Sequence, residues 1–180
     1  MPEVQHLVVM GVSGSGKTTT AQILAERLNW PYAEADEFHP QTNIDKMSAG
    51  TPLTDDDRWP WLRAMRDWLT EQSRAGRSTI VTCSALRVAY RDVLREAEGR
   101  VRFVHLEGTI EAIGGRLSGR AGHFMPPSLL PSQFQTLEPL TDAEDGVRVP
   151  VEVSPHSVAD AALRELGIDP ATVRVATQES

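Results

Sequence analysis

Eight consecutive residues near the N-terminus have the types and spacing needed to bind phosphate groups. Residues 11–18 read GVSGSGKT, which fits the pattern GxxxxGK[ST]. Glycines let successive backbone N–H groups turn towards phosphate oxygens, and a following helix adds the positive end of its dipole. Lys17 is expected to reach the β- and γ-phosphates of a nucleotide, and the Thr18 hydroxyl to ligate Mg²⁺. The expected nucleotide contacts are Gly11, Ser13, Gly14, Ser15, Gly16, Lys17, Thr18 and Thr19.

The segments that flank this loop have the patterns that such a site requires. Residues 7–10 are wholly apolar, as in a strand buried on both faces, and residues 19–28 place apolar side chains close to helical spacing. The alternative interpretation is a tight turn before a helix, but such a turn does not require the Lys-Thr pair at its end. The sequence therefore predicts a nucleotide-binding P-loop.

Strand and helix patterns alternate along the rest of the chain. Further strands are predicted at residues 32–35, 78–82, 101–106 and 147–153, and further helices at 61–75, 87–98, 109–117 and 157–166. Such alternation requires crossover connections, so we expect one domain, residues 1–180, with a three-layer α/β/α P-loop fold. Its five-stranded sheet should be mainly parallel. Ligands should gather at the carboxyl ends of the strands, where residues 11–18 and 83–86 lie.

Two segments fall outside this alternation. Residues 119–127 are rich in Gly and Pro, and we expect residues 119–138 to form a mobile, partly helical lid. The tail from residue 168 to residue 180 has weak patterning and is expected to be flexible.

The composition limits the class of partner and the compartment. The chain has 18 Lys and Arg against 25 Asp and Glu, for a net charge of -7, which argues against a nucleic-acid partner. The single cysteine, Cys83, excludes an internal disulfide and fits a reducing interior. The apolar run at residues 7–12 is interrupted by glycines and has no basic flank, unlike a signal peptide or a membrane span. We expect a cytoplasmic protein with no membrane partner.

A second spaced pattern, at residues 39–62, is more specific than the P-loop. It reads HPxxNxxKMxxGxPLxDxDRxPWL and is followed by CSAL at 83–86, YRD at 90–92, GHF at 122–124 and TLE at 136–138. The chain thereby resembles the small bacterial-type gluconate kinases, relatives of shikimate kinase and adenylate kinase, from the P-loop to about residue 140. This resemblance implies ATP- and Mg²⁺-dependent phosphorylation of D-gluconate to 6-phospho-D-gluconate. It also suggests a homodimer.

The resemblance marks Asp36 as the catalytic carboxylate. A carboxylate just after a strand end can accept the proton of an attacking hydroxyl, although Asp36 could instead cap a helix before His39 and Pro40. Where the family has Asp-Gly-Asp, this chain has Glu34, Ala35 and Asp36. Glu34 could act on Mg²⁺ through water or simply cap the strand. No acidic residue directly follows the third predicted strand, so Mg²⁺ would rest on Thr18, phosphates and water, with help from Asp36.

The acceptor residues follow from the chemistry of a sugar acid. A planar guanidinium binds a carboxylate through two parallel hydrogen bonds, and Arg58 and Arg91 are the candidates. His39, Ser84 and Gln133 are the candidate hydroxyl contacts, with Lys46 as a weaker candidate. Arg58 could instead form a surface ion pair, and Arg91 could lie on a solvated helix face.

The remaining candidates lie on the helix that enters the predicted lid, in the lid itself and after the last predicted strand. Arg116 and Arg120 are four residues apart and can share one helix face, from which they could flank the nucleotide phosphates. Arg120 is thus a third catalytic candidate beside Asp36 and Lys17. His123 could simply pack in the closed lid, and Pro155 follows the last strand where relatives hold the adenine. The four tryptophans are expected to serve the core.

Two other functions fit parts of the sequence. One is a kinase of the same fold for another small polyol acid such as shikimate, because few substitutions change a hydroxyl-reading pocket. The other is a nucleotide-dependent regulatory switch, although the guanine-reading Asn-Lys-x-Asp sequence of GTPases is missing.

Overall fold

Five short strands form one sheet at the centre of the molecule. The computed structural model describes residues 3–12, 14–108, 130–151 and 154–173. The strands are β1 (Gln5–Met10), β2 (Tyr32–Glu34), β3 (Thr79–Thr82), β4 (Arg100–Glu107) and β5 (Gly146–Pro150). Their order in the sheet is β2-β3-β1-β4-β5, and each pairing is parallel. The prediction of a five-stranded parallel sheet is confirmed.

Helices cover both faces of this sheet. They are α1 (Lys17–Leu28), α2 (Gln41–Ser48), α3 (Asp55–Arg74), α4 (Val88–Arg95), α5 (Leu130–Thr136) and α6 (Pro155–Leu166), with a 3₁₀ turn at Ala35–Phe38. Helix α1 packs against α6, and α3 packs against α4. Side chains of successive strand residues point to opposite faces, and residues 7–10 of β1 are all fully buried. Both faces of the central strand are therefore covered, as the α/β fold requires.

Helix α3 begins six residues earlier than its apolar pattern predicted. Thr54 is its N-cap: the Thr54 side chain accepts a hydrogen bond from the Asp57 N–H, and the Asp57 carboxylate accepts one from the Thr54 N–H. This capping box and the three aspartates of the first turn stabilise the start of the helix. Pro60 lies inside the helix and did not end it. The polar first turns carry little apolar periodicity, which is why the pattern became visible only at Trp61.

The other boundaries differ from the predictions by a few residues. Helix α4 ends at Arg95, three residues before the predicted end, and β5 lies at Gly146–Pro150. The predicted helix at residues 109–117 and the first part of the predicted lid lie outside the described residues. Within the described part of the chain, no helix is long and apolar enough to cross a membrane.

The tryptophans serve the core, as predicted. Trp61 is buried, and its indole N–H donates to the Ala35 carbonyl at 2.8 Å, which fixes the 3₁₀ turn after β2 against α3. Trp30, Trp59 and Trp68 are half-buried and pack on the same core.

Candidate active site

The P-loop connects β1 to α1 with a backbone that requires glycine at position 11. Gly11 has φ 148°, and a Cβ there would lie 2.8 Å from the Ser15 Oγ and 2.9 Å from the Leu106 carbonyl oxygen. Gly14 and Gly16 have φ 82° and 95°, in the left-handed region. The loop thus has little room on its inner side.

Two features of the loop suit an anionic ligand. The Ser15 Oγ is one of two buried side-chain polar atoms without a hydrogen-bond partner in the described part of the chain. Helix α1 begins at Lys17, after Gly16, with no side-chain cap and no acidic residue in its first turn. A buried hydroxyl without a partner is costly, and an uncapped helix N-terminus attracts negative charge. Phosphate oxygens would satisfy both.

Lys17 lies against the same loop. Its Nζ donates to the carbonyls of Gly11 at 3.0 Å and Val12 at 2.9 Å, which holds the ammonium group over the loop. Thr18 is half-buried and Thr19 is exposed in the first turn of α1. Ser13 lies outside the described residues.

Cys83, just past the end of β3, lies within electrostatic range of predicted site residues from three segments. The Cys83 thiol is fully buried, and burial raises its pKa to about 12. The charges of Lys17, Asp36 and Arg58 also act on the pKa of this thiol, so all three side chains lie within electrostatic range of it. The Gly11 N–H donates to the Ser84 carbonyl at 3.3 Å, which places the P-loop beside the loop at residues 83–86.

Asp36 lies in the 3₁₀ turn after β2 and is exposed. The alternative role as a helix cap is wrong, because α2 begins at Gln41 with Pro40 in the N-cap position. Glu34, at the end of β2, accepts hydrogen bonds from the hydroxyls of Tyr32 and Thr82. Both carboxylate oxygens of Glu34 are therefore engaged at the ends of β2 and β3, which favours the strand-capping role over one at the metal.

A cleft of about 250 Å³ opens between α3, α4 and α5, and we call it the α3–α5 cleft. Its lining brings together two predicted substrate contacts, Arg58 and Gln133. Sequence reasoning missed Arg87 and Thr136, which also line it. Arg87 directly follows the CSAL motif and is the N-cap residue of α4, so its position after a strand end was a usable signal. The full lining is Pro52, Leu53, Thr54, Asp55, Arg58, Leu86, Arg87, Gln133 and Thr136.

Arg58 is fixed inside this cleft. Its Nη1 donates to the Tyr90 hydroxyl at 3.0 Å, its guanidinium lies 5.2 Å from the centre of the Tyr90 ring, and Asp55 is 3.7 Å away. Only 17% of the Arg58 side chain is exposed. The Arg58 guanidinium is half-buried and packs on an aromatic ring, so it has already lost most of its rotamer freedom. In this respect it differs from an arginine in an ordinary surface ion pair.

His39 and Lys46 have structural partners close to the same helix. The His39 ring stacks on Trp61 with centroids 4.0 Å apart, and burial, with the nearby charge of Arg58, lowers its pKa to about 4. His39 is therefore neutral at physiological pH. Lys46 forms a 2.8 Å ion pair with Asp57 and so supports the capping box of α3.

Arg91 is buried and paired inside the protein, which corrects the prediction for this residue. The alternative of a solvated helix face is wrong, because the Arg91 side chain is 0% exposed. Its guanidinium donates to both oxygens of Glu144 at 2.6 and 2.9 Å and to the Ala85 carbonyl at 2.8 Å. These partners hold it inside the protein and away from the lining of the cleft. A sequence cannot reveal that a carboxylate 53 residues away takes the guanidinium.

The carboxylate of Glu144 joins a buried cluster. Arg95 also donates to Glu144, at 2.9 Å. Burial alone would raise the pKa of Glu144, but the hydrogen bonds from Arg91 and Arg95 outweigh it and lower the pKa to about 2. The cluster fixes Ala85, whose φ of 44° is rare for a residue with a side chain, and thereby the loop between the P-loop and the cleft.

Glu138 connects the segment after α5 to the same loop, and sequence reasoning did not single it out as a site residue. Its N–H donates to the Leu86 carbonyl at 2.6 Å, and its carboxylate accepts from the Val88 N–H at 2.9 Å. The carboxylate thus caps α4, whose N-cap Arg87 makes no side-chain cap. These two bonds tie together the two segments that contribute Arg87 and Gln133 to the lining of the cleft.

The remaining predicted site residues lie outside the described part of the chain or on the surface. Arg116, Arg120 and His123 lie outside the described residues. Pro155 is exposed in the first turn of α6, after the N-cap Ser154, and Arg27 of α1 pairs with Asp160 of that helix. Among the described side chains, no group of three or more His, Cys, Asp or Glu is arranged to hold a metal ion.

Comparisons with known proteins fit this geometry. A family described as an AAA domain matches residues 7–139, which include the P-loop, the 3₁₀ turn and the cleft. The chain is 51% identical over 160 residues to the gluconokinase of Gluconobacter oxydans (strain 621H), covering 89% of this chain and 90% of that relative. This chain belongs to the gluconokinase family.

Two solved structures of high identity support the family assignment. A sugar kinase from Janibacter sp. HTCC2649 has a TM-score of 0.89 and 52% identity, covering 93% of this chain and 97% of that one. A gluconokinase from Sinorhizobium meliloti 1021 has a TM-score of 0.83 and 41% identity, covering 100% and 99%. The gluconokinase resemblance inferred from the motifs is confirmed.

Substituting Gly11 with Ala tests the P-loop geometry. We expect Gly11→Ala to weaken ATP binding at least tenfold, because the new Cβ would collide with Ser15 and Leu106, and the required φ costs roughly 1–3 kcal/mol for alanine. Calorimetric titration with an ATP analogue measures the affinity. Gly76→Ala is the control: it has φ 73° but no heavy atom within 4 Å, so a cost of about 1 kcal/mol in stability and unchanged binding are expected. Equal ATP affinity in the two variants would contradict the argument.

Substituting Arg91 separates a structural role from substrate contact. We expect Arg91→Ala to lower the free energy of unfolding by about 3 kcal/mol, because it leaves Glu144 buried with one partner fewer. Urea denaturation measures this. Arg74→Ala, which removes an exposed pair with Glu98, should leave the free energy of unfolding nearly unchanged. Wild-type stability combined with a raised KM for gluconate would instead favour the original substrate-contact prediction.

Proposed function

We propose that this protein transfers the γ-phosphoryl group of ATP to the 6-hydroxyl group of D-gluconate. The observation that supports the proposal is the connection of the P-loop to the α3–α5 cleft through the loop at residues 83–86. The P-loop lies beside the loop at residues 83–86, and the last residue of that loop, Leu86, lines the α3–α5 cleft. Membership of the gluconokinase family supports gluconate as the acceptor.

The donor half fits the phosphates of ATP. The unpartnered Ser15 hydroxyl, the uncapped start of α1 and the Lys17 ammonium group all suit phosphate oxygens. Mg²⁺ would be held by the Thr18 hydroxyl, phosphate oxygens and water, with help from Asp36, and it would neutralise charge on the β- and γ-phosphates. Pro155 remains a proposed neighbour of the adenine.

The acceptor half fits a sugar acid. Arg58 presents a nearly immobile guanidinium to the gluconate carboxylate, and Gln133 supplies an amide for the hydroxyl groups. Ser84, which is half-buried beside the P-loop, and the neutral His39 remain proposed hydroxyl contacts. Arg91 is proposed to act on the acceptor only through the Ala85 loop.

The reaction follows from these positions. Asp36 accepts the proton of the 6-hydroxyl group as its oxygen attacks the γ-phosphorus, and the bond from that phosphorus to the bridging oxygen of ADP breaks. Lys17 stabilises the charge on the transferring group. Arg116 and Arg120 are proposed to reach the same phosphates from the helix that enters the lid, and closure of the lid would exclude water.

A substrate panel tests the proposed activity. ADP release is measured with gluconate, shikimate, other sugar acids and nucleoside monophosphates as acceptors. Gluconate should give the highest kcat/KM, because its carboxylate and hydroxyl groups match the cleft. No turnover of gluconate would overturn the proposal, and preferred turnover of shikimate would indicate another polyol acid as the substrate.

We further propose a cytoplasmic homodimer.

Asp36→Asn tests the proposed base. We expect kcat to fall roughly 10²-fold or more, with little change in the KM for gluconate, because asparagine keeps the size but cannot accept the proton. Glu37→Gln is the matched control, since Glu37 is an exposed carboxylate in the same 3₁₀ turn. A kcat close to that of the wild type in Asp36→Asn would remove the assignment.

A further inference from the structure

Three charged side chains line the α3–α5 cleft: Asp55, Arg58 and Arg87. Asp55 lies 3.7 Å from the guanidinium of Arg58 and 3.8 Å from that of Arg87. The Tyr90 hydroxyl connects two of them, because it donates to Asp55 at 2.5 Å and accepts from Arg58 at 3.0 Å. One carboxylate thus lies between two cations, and the charge of the lining is +1.

The position of Asp55 is not explained by the stability of α3. The first turn of this helix contains three aspartates, and Asp57 forms the capping box with Thr54. Asp56 is exposed and provides another negative charge at the helix N-terminus. Asp55 is the member of this trio that lines the cleft, with 46% of its side chain exposed.

We propose that Asp55 makes the cleft selective for a singly charged acidic group and that Arg87 joins Arg58 in binding it. This inference rests on the proposed function. A monocarboxylate balances the net charge of the lining, whereas a phosphate ester in the same place brings two negative charges next to Asp55. At about 6 Å and an effective dielectric constant of about 40, each unit of ligand charge changes the affinity roughly tenfold.

This selectivity has a consequence for the product. Gluconate is acyclic, and 6-phosphogluconate has a carboxylate at one end and a phosphate at the other. Without Asp55, two guanidinium groups would attract the phosphate end, and the product could bind end for end in the cleft. Asp55 therefore disfavours this reversed binding of the product, which would block the cleft for the next gluconate molecule.

Asp55→Asn is the test, because the asparagine oxygen can still accept the hydrogen bond from Tyr90 while the negative charge is lost. Calorimetric titration compares gluconate with sorbitol 6-phosphate, a polyol that ends in a phosphate, at pH 8, where the phosphate carries two charges. A non-hydrolysable ATP analogue with Mg²⁺ fills the P-loop, so that the phosphate probe can enter only the cleft. Asp56→Asn is the control, because it removes a charge from the same helix turn outside the cleft.

We expect the affinity for sorbitol 6-phosphate, relative to that for gluconate, to rise roughly tenfold in Asp55→Asn and to stay unchanged in Asp56→Asn. A ratio equal to that of the wild type in Asp55→Asn would overturn the inference, as would equal shifts in the two variants or the binding of neither anion. The proposed function fails separately, in the turnover assay. A wild type that does not phosphorylate gluconate but shows the expected shift would keep the charge selectivity and lose gluconate as the substrate.

Discussion

The site depends on the parallel pairing of β1 with β3. Because the two strands run side by side in the same direction, their carboxyl ends lie at one edge of the sheet, and the Gly11 N–H can donate to the Ser84 carbonyl. That contact joins the P-loop to the loop at residues 83–86, whose last residue, Leu86, lines the α3–α5 cleft. Strand β2 pairs with the other side of β3, so the 3₁₀ turn that contains Asp36 begins at the same edge of the sheet.

Charged groups around this edge have two different tasks. The cluster of Arg91, Arg95 and Glu144 is closed to solvent at its centre and fixes the Ala85 loop. A buried ion pair of this kind adds little net stability over apolar packing, but losing one partner is costly, so it holds the loop in one arrangement. In the cleft, by contrast, Arg58 and Asp55 are close together but remain within reach of a ligand.

The capped first turn of α3 fixes the positions of the side chains that this helix contributes to the cleft. The capping box of Thr54 and Asp57 fixes the start of α3, and Lys46 pairs with the same aspartate. Arg58 follows within one turn and is backed by the ring of Tyr90, so its guanidinium has little freedom left to lose on binding. Glu138 does the equivalent for α4 by capping its N-terminus from the segment after α5.

The sequence by itself determined the parts of this protein whose signals are local. The glycines, Lys17 and Thr18 specify a P-loop because its backbone geometry is set within eight residues, and wholly apolar runs such as residues 7–10 specify buried parallel strands. The spaced pattern at residues 39–62 carried the family. Helix α3 was recognised, but its start was not, because a polar capping box has no apolar period.

Only the tertiary structure decided which charged side chains line the α3–α5 cleft and which are paired inside the protein. From the sequence, Arg58 and Arg91 were equal candidates for binding a carboxylate. Arg58 precedes a predicted helix, and Arg91 lies within one. Folding turned Arg58 towards the cleft and gave Arg91 to Glu144, 53 residues away. Arg87 and Asp55 likewise came together in the cleft only through folding. The partners of a charged side chain depend on distances between segments that are remote in sequence. Charge pairing between segments that are far apart in sequence leaves no periodic pattern in the sequence. For this physical reason the pairing of the charged side chains could be determined only from the tertiary structure.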